Sequence, residues 1–156
     1  MPSGITNKRI DTISGIIKAS PERIYQAIID PASLEKWRAP KGMKCVIYEF
    51  DSQPGGIYRM TLKYTGAHET AGKSSENEDM VKGRFLEMVP NNYVVEEVEF
   101  PSDDPEYAGL MKVKTQIDPV PEGSLVTFVC MNVPAGITKE DHEKGLSSTL
   151  QNLANS

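Results

Sequence analysis

Between residues 110 and 118 the chain alternates strictly: Met111, Val113, Thr115 and Ile117 fall on one side, Lys112, Lys114 and Gln116 on the other. A two-residue period marks a strand with one face buried. Residues 57–64 repeat it, with Tyr58, Met60, Leu62 and Tyr64 alternating with Arg59, Thr61 and Lys63. In 124–133 both sides are apolar: Val126, Phe128 and Cys130 on one, Leu125, Val129 and Met131 on the other. A strand apolar on both faces is central or well covered. Strand-like runs also occupy 10–18, 43–51, 80–89 and 92–100. Pro54-Gly55-Gly56, Pro90-Asn91-Asn92 and the stretch from Pro119 to Gly123 supply turns between them.

Helical spacing enters at three places. Ser20-Pro21-Glu22 combines an N-cap, a first-turn proline and an acid, and Ile24, Ala27 and Ile28 follow on one face. Asp30-Pro31 repeats the start signal for a second short helix running through Leu34 to Trp37, ended by Pro40 and Gly42. Thr138 and Asp141 resemble a capping box, and His142, Leu146, Leu150 and Leu153 then form one stripe, with Glu140, Lys144, Ser148 and Gln151 facing away. A helix over 139–155 is about 25 Å long. Gly145 costs it about 1 kcal/mol, which a close approach of the sheet at that point would explain. The order is strand, two short helices, six strands, long helix. It predicts an α+β domain spanning 1–156, in which the final helix covers an antiparallel sheet of about seven strands. The polar stretch 66–79 reads as a mobile loop or lid.

Composition narrows the function. With 17 basic and 22 acidic residues the net charge is −5, and no Lys/Arg run interrupts it. Nucleic acid and anionic membranes are therefore not expected partners. Residues 1–9 lack the apolar core of a signal peptide, and no run approaches the roughly 20 apolar residues that span a bilayer. A cytoplasmic protein with no membrane insertion, monomeric or homodimeric, is the expectation. Cys45 and Cys130 sit in strand-like runs without a C-x-x-C spacing, which points to two buried reduced thiols.

Motifs for nucleotide binding, P-loops and serine nucleophiles are missing. His68 and His142 have no cysteine at ligand spacing, so no metal and no cofactor is expected. His142 and its neighbour Asp141 cannot form a dyad, because adjacent helical side chains diverge by about 100°. His142 is instead expected at the rim of the helix–sheet core. The acidic stretch Glu76-Asn77-Glu78-Asp79 lacks the ordered oxygen set calcium needs. Three residues interrupt apolar stripes: Glu96 between Val94 and Val98, Glu87 beside Phe85, and Arg84 beside Leu86 and Met88. An inward carboxylate is costly unless paired and sometimes marks a site. The alternative is a bulge, or a solvent-facing strand, that turns the residue outward.

The segments Ser20-Pro21 to Asp30-Pro31, Trp37-Arg38-Ala39-Pro40 and Phe50-Asp51-Ser52-Gln53-Pro54-Gly55-Gly56 together resemble the start of the START-like SRPBCC superfamily. Within it they look most like the branch named for the activator of heat-shock-protein-90 ATPase. Gly83-Arg84-Phe85-Leu86-Glu87, Gly123-Ser124-Leu125-Val126-Thr127 and Val133-Pro134-Ala135-Gly136-Ile137 through Leu153 extend the likeness over nearly the whole chain. The departures are Gln53 where relatives often carry Arg, Arg38 where many carry a second Trp, and Leu146 where many carry Trp. The resemblance implies a helix-grip fold, a curved sheet around the last helix with an apolar cavity between them.

On that basis the expected function is binding of a small apolar molecule. The expected lining is Trp37, Tyr58, Met60, Phe85, Glu96, Met111, Val113, Phe128, Leu146 and Leu150. No catalytic residue is assigned. A cyclase- or hydrolase-type enzyme with Glu87 or Glu96 as base, helped by His142 or Tyr58, remains an alternative, as does a module that acts on a chaperone ATPase.

Overall fold

A computed structural model describes residues 9–39, 43–64, 78–100 and 109–155. The anticipated elements occur in the anticipated order. They are β1 (Ile10–Ile17), α1 (Pro21–Ile29), α2 (Pro31–Trp37), β2 (Met43–Phe50), β3 (Ile57–Tyr64), β4 (Glu78–Val89), β5 (Tyr93–Glu99), β6 (Met111–Val120), β7 (Gly123–Met131) and α3 (Lys139–Ala154). Glu78 and Asp79, expected in a lid, begin β4; the rest of that segment lies outside the described residues.

The seven strands form one antiparallel sheet in the order β1-β7-β6-β5-β4-β3-β2. The sheet is curved and carries a C-terminal helix, with two short helices after the first strand, which makes it a helix-grip, START-like fold. Each helix starts on the side chain that the sequence offers. Ser20 accepts from Arg23 N (3.2 Å), Asp30 from Ser33 N (3.1 Å) and Thr138 from Asp141 N (3.1 Å). Such caps satisfy backbone donors that the helix itself cannot.

The alternation in β6 is realised: Met111, Val113, Thr115 and Ile117 are buried on the concave face. Cross-strand partners extend this row, pairing Val113 with Cys130, Thr115 with Phe128, and Glu96 with Val113. Each apolar side chain so buried is worth about 1.5–3 kcal/mol. Ile24, Ile28, Leu34 and Trp37 from the short helices close one part of the core. Leu150 and Leu153 of α3 close another.

The glycine expectation reverses. A Cβ at Gly145 would meet nothing within 4 Å, whereas one at Gly15 would lie 2.7 Å from Leu150 Cδ2. The tight contact between α3 and β1 is thus at Gly15, against Leu150 in the second half of α3, and Gly145 stands over open space. In the Pro54-Gly55-Gly56 turn, Gly55 has φ +85° and a Cβ at Gly56 would collide with Asp51 O. These glycines serve the hairpin. Among the described residues no helix is long and apolar enough to cross a membrane.

Candidate functional site

The open space beneath the first half of α3 is a cavity of about 390 Å³. The sheet contributes Glu96 and Val98 from β5, Met111, Val113 and Thr115 from β6, and Phe128 and Cys130 from β7. His142, Gly145, Leu146 and Thr149 of α3 form the opposite wall, and Ile28, Trp37 and Arg38 close one side. Six of the ten expected lining residues therefore meet here: Trp37, Glu96, Met111, Val113, Phe128 and Leu146.

The other four lie elsewhere for identifiable reasons. Tyr58 and Phe85 pack with Phe50 in an aromatic cluster on the β2–β3–β4 side, with ring centroids 5.3–6.0 Å apart. Gly83 makes room for the Tyr58 ring, since a Cβ there would lie 2.2 Å from Tyr58 Cζ. Met60 is fully buried beside Cys45, sulfur to sulfur at 3.6 Å. Leu150 is committed to Gly15.

Two polar groups reach the cavity. The first centres on Glu96, which is 3% exposed on the fourth strand of seven. Tyr58 Oη donates to its Oε1 at 2.6 Å, and Arg38 Nη1 lies 3.8 Å from the same oxygen. Burial, then the adjacent Glu96 charge, push the Tyr58 hydroxyl well above its usual range, so it remains a donor. Burial works against the Arg38 charge, but Tyr58 and Glu96 outweigh it and hold the guanidinium firmly protonated. Glu96 is thus a buried carboxylate that is paired and hydrogen-bonded, the condition under which such a group is tolerated.

The second group joins the first strand to the last helix. Asp11 is fully buried. Arg9 donates to it through Nε (3.1 Å) and Nη2 (2.8 Å), and its Nη1 donates to Ile137 O. His142 Nδ1 lies 2.6 Å from Asp11 Oδ2. Burial pushes the Asp11 carboxyl up, but the hydrogen bonds and charges of Arg9 and His142 overcome this and hold it below its ordinary value.

Glu87 takes no part. The register slips between Phe85 and Glu87, and this bulge turns Glu87 outward, where it accepts from Tyr93 Oη at 2.9 Å. Arg84 is likewise exposed. His142 does sit at the rim of the helix–sheet core, lining the cavity, but its partner is Asp11 on β1. Burial pushes the thiols of Cys45 up to about 11 and Cys130 up to about 12, and both are free. No group of three metal-ligating side chains occurs among the described residues.

Arg38, Arg9 and Asp11 were absent from the expected lining. Asp11 had a usable signal: it shares the inward side of β1 with Ile13 and Ile17, an apolar stripe broken by a charge. Arg38 had only its position next to Trp37.

A family model described as Activator of Hsp90 ATPase homolog 1-like protein matches residues 18–156. No curated protein matches the sequence significantly. Among solved structures, a protein from Chromobacterium violaceum superposes with a TM-score of 0.81 at 26% identity, covering 94% of this chain and 96% of that one. The AHSA1 protein from Silicibacter pomeroyi gives 0.76 at 17% identity, with 94% and 96% covered. The AHSA1-like protein from Aeromonas hydrophila gives 0.71 at 15%, with 94% and 90% covered. The last two speak to the fold alone.

Proposed function

This chain belongs to the Activator of Hsp90 ATPase homolog 1-like family, and from that premise we propose that it binds a small, mostly apolar molecule in the cavity between sheet and helix. The observation that carries the reading is a space of about 390 Å³ walled by apolar side chains, with Arg38 and Glu96 as the polar pair at its wall. Preformed cavities of this size with a few placed polar groups are the usual form of a small-molecule site. The apolar wall supplies affinity and the Arg38–Glu96 pair selects a ligand with a polar end. Free buried thiols at Cys45 and Cys130 suit a reducing compartment, and we place the protein in the cytoplasm.

A thermal-shift screen with lipids and aromatic compounds tests this. A ligand at 100 times its Kd adds about 2.7 kcal/mol to stability, so true ligands raise Tm by several degrees. The rise is expected to vanish in Leu146→Trp, which enlarges a side chain that lines the cavity. A panel without a single stabilising compound contradicts the proposal.

One observation favours a second reading. Glu96 is a cavity carboxylate within hydrogen-bond reach of Tyr58, the arrangement general acid–base chemistry requires. An enzyme of this kind would turn over a ligand found in the screen and lose turnover, but keep binding, in Glu96→Gln. Unchanged product formation in that variant would exclude it.

A further inference from the structure

The Glu96 pair leaves the other polar group of the cavity unexplained. Asp11 is a buried carboxylate on an edge strand, and Arg9 already gives it two hydrogen bonds. Stability alone does not call for a histidine from a helix 131 residues further along the chain. What the third contact does is fix an imidazole. An ionised carboxylate can only accept, so at 2.6 Å it is His142 Nδ1–H that donates to Asp11 Oδ2. With Nδ1 committed as the donor, the ring in its neutral form carries its lone pair on Nε2. The ring lines the cavity and its side chain is 12% exposed. Arg9, itself bonded to Ile137 O, clamps Asp11 and thereby the ring.

Besides the Arg9–Asp11 pair, the described lining at this end adds one more charged residue. Asp141, one residue earlier on α3, also lines the cavity and is an acceptor. The cationic partner in the cavity, Arg38, belongs to the Glu96 group. A ligand's polar atom that meets the neutral ring therefore has to bring a proton. A carboxylate or other acceptor would face a lone pair and an acid.

We propose that His142 is a ligand-binding residue whose Nε2 accepts a hydrogen bond from a hydroxyl on an otherwise apolar molecule, with Asp11 and Arg9 as positioning residues. The substrate class is thus hydroxylated: a phenol, enol or sterol-like alcohol. This inference rests on the cavity-binding reading and sharpens it. The bound molecule is oriented, with its hydroxyl at the α3–β1 end and any acceptor toward Arg38. The same placement leaves Nε2 able to take a proton, but the inference claims only the hydrogen bond.

The test uses two probes of matched shape, 2-naphthol and 2-methylnaphthalene, on the full chain. Calorimetry is expected to show the naphthol binding about tenfold more tightly, the ratio that one well-made hydrogen bond supports. In His142→Phe the preference is expected to disappear. A direct readout needs no variant. The chain has two histidines, so ring ¹⁵N resonances are readily assigned, and Nε2 of His142 should shift with naphthol but not with methylnaphthalene. Asp11→Asn can donate to Nδ1, and is expected to move the tautomer toward Nε2–H and reduce the preference, which a purely structural Asp11 would not do. Equal affinity for the two probes, a preference that survives His142→Phe, or an unmoved Nε2 resonance overturns the proposal and leaves the cavity reading standing. If neither probe binds, this proposal falls, and the cavity reading is decided by the full panel.

Discussion

The two halves of α3 meet the same sheet in opposite ways. Its last turns are packed: Leu150 and Leu153 are buried, and Leu150 sits where a Cβ on Gly15 would be. Its first turns stand off on the cavity side: Gly145 meets nothing and Leu146 is only partly covered, while His142 alone reaches across to Asp11 of β1. One helix thus anchors the fold at one end and roofs a space at the other. The lesson is that an unbroken apolar stripe records which face turns inward, not how closely that face is filled.

Substitutions along α3 should separate the two roles. Leu150→Ala is expected to cost about 2–5 kcal/mol in chemical denaturation, because its neighbours cannot close the gap. Leu146→Ala, removing a side chain that already borders space, should cost about 1 kcal/mol. Similar losses at both positions would break the comparison. Next in size is Tyr58→Phe, which deprives the buried Glu96 of its 2.6 Å donor and should lose about 1–3 kcal/mol. The two glycines give the sharpest contrast. Gly15→Val crowds Leu150 and should destabilise by about 1–3 kcal/mol, whereas Gly145→Ala should stabilise by up to about 1 kcal/mol.

Much of this division was not visible in the chain. The element order was, because Ser20-Pro21, Asp30-Pro31 and the alternation from Met111 to Ile117 are local signals with local causes. Glu96 was visible too, as a charge inside the Val94–Val98 stripe. Glu87 looked equivalent until the bulge after Phe85 reversed its direction, and a one-residue slip leaves no mark in composition. Arg38 and Asp11 depend on partners 58 and 131 positions away or on how the sheet bends, which no local pattern encodes; the Asp11–His142 separation alone shows the scale. Gly145 was misassigned because a glycine that relieves a clash and one that leaves room look identical in sequence.

Smaller effects refine the same picture. Asp11 is held below its ordinary carboxyl value, so its contribution is complete above about pH 4 and is lost as pH falls through the lower folded value. Asp11→Asn should flatten the acid limb of the Tm–pH curve, and an unchanged limb would detach α3's first turns from β1. Cys45, pushed up to about 11, and Cys130, up to about 12, should resist thiol reagents until the protein unfolds. Prompt labelling of Cys130 would mean that the cavity opens more widely than its walls imply.

The division of α3 is tested most directly by methyl NMR during titration with 2-methylnaphthalene. Binding in the roofed space predicts the largest shifts at Leu146, Met111, Val113 and Val98, with Leu153, Ile17 and Val126 unmoved. Shifts centred on Leu153 and Ile17, or spread evenly over both halves of the helix, would contradict it.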